Sequence, residues 1–392
     1  MFVYLDNSST TRQYDEVTDE MIKFMKDDFG NPSSLHRMGM IAENAVSKAR
    51  KTIASSIGAK EEEIFFTGSG TEADNTAIFG AAQARRRRGK KIITSKIEHP
   101  AVIEACKKLE TMGFLVEYIG VDNKGLVDLE ELEHKIDDNT ILVSIMYVNN
   151  ELGTVQPLEK IAKLFKGKNN ILFHTDAVQA FGKIPFTVDD IAVDLLSLSG
   201  HKIHGPKGTG GLYIRKGVNI DPFLYGGGQE KGFRSGTENT PGLIGFGLAA
   251  EIMHRNTKDR IEKIKQARNY LLNGIKDEIE SIRINSPIEL YGESNSLHVC
   301  SPAILNVSFL GCRGEVLLHF LEEQGIYVST GAACSSKKKG NRVLSAVGMT
   351  EEEIDSAIRF SFSEFNTIEQ MDYVLEKLKD AVNRMRNLRY RR

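Results

Sequence analysis

The feature that most constrains this chain's fold is a repeated alternation of amphipathic helical segments with short β-branched or aromatic strands over residues 15–253. Such alternation is typical of an α/β domain in which helices cover a mostly parallel sheet. Seven strands are predicted, at 64–67, 91–95, 115–119, 140–147, 170–174, 193–198 and 211–214. Because ligands on such sheets bind beyond the carboxyl ends of the strands, we look for chemistry in the residues that follow each strand.

The rest of the chain has a different pattern, which predicts a second, smaller domain. A long helical run over 242–279 is followed by fewer strands, at 304–309, 326–329 and 357–361. Since 392 residues exceed one ordinary core, we expect a large domain over 15–253 and a smaller α+β domain over 254–392. Residues 1–14 are grouped with the small domain, although their sequence does not decide which domain they contact.

Composition and charge exclude several classes of protein. The 51 basic and 53 acidic side chains nearly balance, so no field of one sign attracts nucleic acid or an anionic membrane. Basic runs at 85–91 and 387–392 are the alternative for nucleic-acid binding, but such runs are usually solvated helix ends. No secretion signal, no membrane-spanning stretch and no CxxC pair of cysteines is visible. We therefore expect a cytoplasmic protein without a disulfide framework or a bound metal.

A glycine-containing loop, TGSGTEADN at 67–75, follows the first predicted strand of the sheet and leads into a helix. Its free amide donors and the helix dipole suit a phosphate group, while a simple tight turn explains the glycines equally well. The loop has neither the GxGxxG spacing of dinucleotide sites nor the GKS or GKT of nucleoside triphosphate sites. A lone phosphate is the favoured ligand.

His99 follows the second predicted strand, in the segment IEHP. An imidazole at this edge of the sheet can stack on a flat cofactor and move protons. The simpler alternative is that His99 caps the helix that begins near Pro100.

Two further strands deliver an acid and an amine to the same edge. Asp176 comes two residues after the end of the strand at 170–174, and Lys202 follows the strand at 193–198 within the segment SGHK. A pyridine-based cofactor uses both groups, because an aspartate keeps the ring nitrogen protonated and a lysine forms an imine with the aldehyde. The alternative for Lys202 is an ordinary solvated surface lysine.

The predicted small domain contributes a cysteine and an arginine. Cys334 lies in a small, polar and basic loop, TGAACSSKKKG, which favours an exposed and reactive thiolate. Cys106, Cys300 and Cys312 lie in apolar or helical surroundings and are expected to pack as small hydrophobic residues. Arg359 alternates with apolar residues on a strand and needs an anionic partner, either a substrate carboxylate or a structural one.

Several segments, in this order along the chain, resemble the cysteine desulfurases of the aminotransferase class V family. The resemblance runs from YLDNSSTT near the start to IRFSF near the end, and passes through FTGSGTEADN, EHPAV, VNNELGTVQP, HTDAVQ, SLSGHKIHGPKG, GGGQEKGFRSGTEN and the ACSS loop. It implies an aminotransferase fold of type I and the cofactor pyridoxal 5′-phosphate.

The resemblance also implies roles for the residues around the cofactor ring. Lys202 would bind the cofactor as a Schiff base and later take a proton from Cα of the substrate. Asp176 and Gln179 would contact the ring, and His99 would stack on it and assist proton transfer. Cys334 would attack the sulfur of L-cysteine.

The same resemblance implies which residues bind the phosphate of the cofactor and the carboxylate of the substrate. Thr71, Ser199 and His201 would bind the phosphate, together with Thr237 of a neighbouring subunit, so that a homodimer with shared sites is expected. Asn150 would contact both the cofactor and the substrate carboxylate, which Arg359 would also bind.

The implied reaction converts L-cysteine to L-alanine and leaves a persulfide on Cys334 for an acceptor, such as an iron–sulfur scaffold or a tRNA thiolation enzyme. Ala332 and three lysines stand in the Cys334 loop where many relatives carry hydroxylated or acidic residues, and the loop lacks the Arg-x-Gly-His-x-Cys form of the second desulfurase group. The chain therefore resembles the first group, and its acceptor stays open.

Two alternatives stay open beside the desulfurase interpretation. A selenocysteine lyase or a transaminase would use the same cofactor, although a transaminase has no need of a thiol such as Cys334. A catalytically silent scaffold in a sulfur-transfer complex is a third possibility, against which the intact Lys202, Asp176 and Cys334 argue.

Overall fold

The structure, a computed structural model, describes residues 1–165, 167–168, 170–293, 296–330 and 341–389. The strands are β1 Val3–Tyr4, β2 Ile64–Thr67, β3 Lys91–Ser95, β4 Leu115–Ile119, β5 Thr140–Ser144, β6 Leu172–Asp176, β7 Leu195–Ser199, β8 Gly210–Ile214, β9 Ile282–Ile284, β10 Ile304–Phe309, β11 Ile326–Tyr327 and β12 Ala357–Ser361. The helices are α1 Asp15–Lys26, α2 Arg37–Ser56, α3 Gly70–Arg85, α4 Pro100–Thr111, α5 Leu129–Lys135, α6 Leu158–Leu164, α7 Thr240–Arg255, α8 Thr257–Glu278, α9 Gly314–Glu323, α10 Arg342–Ala346, α11 Glu351–Asp355 and α12 Ile368–Arg389.

The predicted seven-stranded sheet is confirmed. Its strand order is β2-β8-β7-β6-β5-β3-β4, and every neighbouring pair is parallel except those that β8 makes with β2 and β7. The strand that we predicted at 170–174 lies two residues further on, so that Asp176 is the last residue of β6 rather than a residue beyond it. The strand predicted at 140–147 ends at Ser144, after which only the contact with β6 continues, through the amides of Ile145 and Tyr147.

The two faces of this sheet are buried by different helices. Residues of one face pack with α3 and α4: Ile92, Leu142, Leu172, Leu195 and Leu212. Their immediate neighbours in the sequence belong to the other core, which includes residues of α2 and α7: Ile93, Val143, Phe173, Leu196 and Tyr213. This alternation explains why the central strands read as continuous apolar runs, because successive side chains enter different cores.

The remaining strands form two small sheets. Strands β12, β10 and β9 make an antiparallel sheet, and β1 pairs with β11 in parallel. The sequence did not predict the short β1 and β9, and it predicted one helical run where Asn256 separates α7 from α8. The predicted domain boundaries at residues 15 and 253 stay a prediction.

The N-terminal arm contacts elements from both halves of the chain. Besides the β1 pairing, Asn7 and Ser8 bond to Ser361 at the end of β12. Thr11 donates to the carbonyl oxygen of His201, immediately before Lys202. Within the described part of the chain, no helix combines the length and apolar character that crossing a bilayer requires.

Candidate active site

The polar residues predicted to carry chemistry meet at the carboxyl edge of the seven-stranded sheet. Asp176 ends β6, while Ser199 ends β7 and is followed by a single 3₁₀ turn, Gly200–Lys202. His99 lies between β3 and α4 at the same edge. Side-chain ligand atoms of Asp74, His99 and Asp176 lie within 4.8 Å of one another. We call Asp176, His99 and Lys202 the ring end of the site.

Asp176 is a buried carboxylate, 5% exposed, that accepts one backbone hydrogen bond, from the amide of Val178 at 2.9 Å. Burial raises the pKa of Asp176, whereas the nearby His99 and Lys202 oppose that rise. A buried carboxylate gains stability from a cation. The protonated nitrogen of a pyridine ring would supply such a cation, so the carboxylate fits pyridoxal phosphate.

Lys202 is held by the N-terminal arm. Its Nζ donates to the backbone oxygens of Ser8, at 2.5 Å, and Ser9, at 2.7 Å. The side chain is half-buried, in contrast to the solvated lysine that was the alternative. Two carbonyl oxygens therefore hold the amine at the edge where Asp176 ends its strand. An amine in this position can form an imine with an aldehyde cofactor.

His99 is both the helix cap and a residue of the sheet edge, so the two sequence interpretations coexist. Its Nδ1 accepts the amide of Ala101 at 3.2 Å, and Pro100 begins α4. An acceptor at Nδ1 assigns the ring proton to Nε2. Burial lowers the pKa of His99, although Asp176 acts in the opposite sense. A neutral imidazole results, which can stack on a ring and donate from Nε2.

Asp74, which sequence reasoning missed, lies behind Asp176. It begins the second turn of α3, is 1% exposed, and places one carboxyl oxygen 3.6 Å from Nε2 of His174. His174 bonds Ser144 through Nδ1 at 2.8 Å and Ser197 through Nε2 at 3.0 Å. Burial and then the neighbouring Asp176 raise the pKa of Asp74. In the sequence, Asp74 is one of many acids near a helix start, which is why it gave no signal.

Glu98 is a second buried acid that the sequence did not single out. Its carboxylate accepts from Ser95 Oγ at 2.6 Å and from the amide of Met146 at 3.0 Å. Burial raises the pKa of Glu98 to about 8. Arg342, the second described residue after the gap at 331–340, donates to the carbonyl oxygens of Lys96 and Glu98.

An ion pair between Arg234 and Glu72 holds the glycine loop at 67–75 in place. Ser69 Oγ accepts the amide of Glu72 at 3.1 Å and so caps α3, and the Glu72 carboxylate accepts the amide of Gly68 at 2.9 Å. Arg234 donates to the same carboxylate at 2.8 Å. A Cβ on Gly70 would lie 2.9 Å from Val178 Cγ2, so the loop packs against the residues that follow β6. The helix start is thus fixed where a phosphate can accept its amides.

The residues predicted to bind the phosphate differ in exposure. Ser199 is buried, and His201 is half-buried with its Nδ1 3.1 Å from Thr10 Oγ1. Thr71 is exposed at the start of α3, and Thr237 is exposed on a segment beyond β8. Burial, and then Lys202, lower the pKa of His201 to about 4, so its ring is neutral.

Arg359 lies at what we call the substrate end of the site, with Asn150. Its guanidinium donates to Asp6 at 2.9 Å and to Glu151 at 3.1 Å, as well as to the backbone oxygen of Asn150 at 3.0 Å. Ser9 Oγ accepts a further bond at 2.9 Å. Structural carboxylates, which the sequence left as an alternative, therefore partner Arg359.

Gln179 follows Asp176 by three residues and is also buried. Its Nε2 donates to the backbone oxygen of Ser8 at 2.9 Å, the oxygen that also accepts Lys202. Gln179 therefore lies next to the ring end, where the resemblance expects it.

Cys334 lies outside the described residues, so its predicted role stays a prediction. The other three cysteines, Cys106, Cys300 and Cys312, are buried, which confirms that they pack as small hydrophobic residues. Burial raises the pKa of the Cys106 thiol to about 12, and such a thiol is a poor nucleophile.

The cluster of Asp74, His99 and Asp176 has two possible kinds of ligand. Such groups can hold a metal ion. A metal site, however, leaves the neighbouring amine of Lys202 without a role. A cofactor with both an aldehyde and a basic ring nitrogen uses the amine, the carboxylate and the stacking imidazole together.

Comparisons with known proteins point the same way. Residues 3–374 match the family model described as aminotransferase class-V. The cysteine desulfurase IscS of Methanosarcina thermophila is 45% identical over 388 residues, which are 98% of this chain and 93% of that protein. A solved NifS-like protein has a TM-score of 0.90 at 42% identity, over 98% of this chain and 100% of that one. The structure of SspA in complex with cysteine has a TM-score of 0.79 at 35% identity, over 93% and 100%.

Proposed function

The chain belongs to the class-V aminotransferase family, and from this premise we propose the residue roles by which it works as a pyridoxal-phosphate-dependent cysteine desulfurase. Lys202 holds the cofactor, Asp176 and His99 bind its ring, and Cys334 accepts the sulfur. The meeting of an amine, a buried carboxylate and a neutral imidazole at one sheet edge supports these roles most strongly.

Each residue has a defined task in converting L-cysteine to L-alanine. Pyridoxal phosphate, when bound, supplies a ring that withdraws electrons from Cα of the amino acid and so weakens its C–H bond. Asp176 stays ionised beside the ring nitrogen, and Lys202 takes the proton from Cα. The Cys334 thiolate attacks the substrate sulfur, the Cβ–S bond breaks, and a proton returned to Cβ completes alanine. The products are alanine and a persulfide on Cys334.

The phosphate and the substrate carboxylate have their own candidate residues. The amides at the start of α3, with Thr71, Ser199 and His201, suit the phosphate because they surround a helix N-terminus. Asn150 and Arg359 are assigned to the substrate carboxylate. Since Asp6 and Glu151 already pair with Arg359, the substrate must compete with them or bind beside them.

We assign the protein to a homodimer in which Thr237 reaches the phosphate of the partner's site. Thr237 is exposed within one chain, which leaves it available to a second copy. Large apolar side chains are also exposed on α1, on the segment between α1 and α2 and near residue 225, as is typical of a surface that another chain covers. Examples are Met25 at 57%, Phe29 at 66%, Leu35 at 105% and Tyr225 at 79% exposure.

The sulfur acceptor and the cellular location are proposed on separate grounds. A persulfide must be delivered to a thiol or a scaffold, so an acceptor for iron–sulfur assembly or tRNA thiolation is proposed. Three buried cysteines that form no disulfide within the described residues suit the reducing cytoplasm.

Incubation of the purified, cofactor-loaded protein with L-cysteine tests the proposal. Alanine should accumulate and a persulfide should map to Cys334 by mass spectrometry. Cys334→Ala should keep the visible absorbance of the bound cofactor and form no persulfide, while Cys312→Ala, a change at a buried cysteine, should behave as the unaltered protein. Full persulfide formation in Cys334→Ala would refute the assigned nucleophile.

A further inference from the structure

Lys183 is a buried lysine that the proposed reaction does not use. It is 4% exposed, which is rare for a lysine. Burial lowers the pKa of its amine well below the ordinary range, and the cations Lys202, Arg359 and Arg260 act in the same sense. A group held in such an unfavourable place needs a specific partner.

That partner is Gln179. The Lys183 amine donates to Gln179 Oε1 at 2.5 Å, and Gln179 Nε2 donates to the backbone oxygen of Ser8 at 2.9 Å. The Ser8 oxygen is also the acceptor of Lys202 Nζ. Lys183 is therefore connected to the cofactor lysine through one side-chain amide and one shared carbonyl oxygen.

The sequence brings Lys183 to Gln179 through a short helical turn after β6. The amide of Phe181 donates to the carbonyl oxygen of Ala177, and the amide of Lys183 donates to that of Ala180, as in a helix. Gln179 and Lys183 are four residues apart and therefore lie on one side of the turn. Gly182 ends the turn with a φ of 71°, and a Cβ there would lie 2.7 Å from Met253 Cε. Both the backbone conformation and the close approach require glycine.

We propose that Lys183 is a positioning residue that fixes which way the Gln179 amide faces. This inference rests on the proposed function, because the amide lies beside the ring end. An amide can turn over with almost no change in shape, exchanging a donor for an acceptor. The Lys183 amine donates to Oε1, and this bond favours the orientation in which Oε1 faces Lys183 and the N–H donors face Ser8 at the ring end.

Loss of Lys183 should change the bound cofactor before any substrate is added. In Lys183→Met only the bond to Ser8 still favours the original orientation of the Gln179 amide, and in the turned orientation an oxygen replaces a donor next to the cofactor. Loss of a donor raises the proton affinity of a neighbouring group. The pH midpoint of the cofactor's visible absorbance change should rise by about one pH unit.

A double-mutant cycle separates the positioning role from a direct effect of charge. Gln179→Ala should raise the midpoint by itself, and Lys183→Met should add nothing to it if Lys183 acts through the amide. Lys207→Met, which removes an exposed lysine close to His201 in sequence, is the matched control and should leave the midpoint unchanged. Fully additive shifts, or no shift in Lys183→Met, would overturn the inference.

Failure of Lys183→Met to fold and failure of the protein to bind the cofactor are distinguished from failure of the inference by further measurements. If Lys183→Met does not fold, Gln179→Glu tests the same idea, because a carboxylate keeps an acceptor for Lys183 but has no donor for Ser8. The midpoint should rise in this variant too, and an unchanged midpoint would overturn the inference. If the unaltered protein binds no pyridoxal phosphate, the proposed function itself fails, which absorbance before any mutation reveals.

Discussion

At the ring end of the site a buried carboxylate, Asp176, forms no ion pair with any described residue, whereas at the substrate end a buried arginine, Arg359, already has two carboxylate partners. Both groups are almost fully buried, so both require compensation. The protein compensates one by itself and leaves the other for a ligand. A buried charge that the chain leaves without a partner charge is the stronger indication of a binding site.

The largest effect is expected from removing the amine of the ring end. Lys202→Ala should lower alanine production by about 10³-fold or more, since no other described residue places an amine beside Asp176. The rate of alanine release from L-cysteine measures this loss of activity. Lys207→Ala, an exposed lysine on the same segment, is the control and should retain turnover. Comparable activity in the two lysine variants would show that the chemistry does not occur at the ring end.

The substrate end should respond chiefly in stability. Arg359→Gln leaves the buried Glu151 and the half-buried Asp6 without their cation, so the free energy of unfolding should fall by about 3 kcal/mol. Urea denaturation of the cofactor-free protein measures this. Arg313→Gln breaks exposed ion pairs and should cost less than about 1 kcal/mol. Equal losses in the two variants would show that the Arg359 pairs stabilise no more than surface pairs do.

Asp176→Asn, in contrast to Arg359→Gln, should make the cofactor-free protein more stable. Because burial raises the pKa of Asp176 above its ordinary 3.8, the folded state holds the ionised form at a cost once the pH exceeds that value. The amide removes that cost, and the melting temperature at neutral pH should rise by about 2 °C. The gain should vanish below pH 3.8, where both states are protonated. A lower melting temperature at neutral pH would mean that Asp176 is already paired.

The smallest expected effect concerns Glu98, the other buried acid near the ring end. Its folded pKa of about 8 lies above its ordinary value of 4.5, so its contribution to stability is complete below pH 4.5 and is lost as the pH rises to about 8. Glu98→Gln should remove this decline, making the melting temperature less dependent on pH in that range. Thermal melts at several pH values test it. An unchanged slope would assign the pH dependence to other groups.

The sequence predicted the ring end well because its residues have strong local signals. Asp176 and Lys202 each come at the end of an apolar strand, and parallel strands bring such ends together. His99 was found by the same rule. A shift of two residues in the bounds of β6 did not matter, since Asp176 stayed at the sheet edge.

Other parts of the site had no signal that a single sequence can carry. The carbonyl oxygens of Ser8 and Ser9 hold Lys202, but backbone atoms leave no trace in residue types. Asp74 and Lys183 look like ordinary solvated charges until the fold buries them. Asn256 divides the predicted helical run into α7 and α8 without a glycine or proline to mark the break.

The N-terminal arm has a consequence for the order of synthesis. Its Asn7 and Ser8 bond to Ser361, more than 350 positions further along the chain, and its carbonyl oxygens hold Lys202. Residues of the arm therefore reach their final place only after β12, which lies far downstream in the chain, has been made. Contacts of such separation form late in folding. The cofactor pocket is thus completed after translation, and a chain truncated before residue 361 would keep its large sheet and lack the anchor of the arm that holds its lysine.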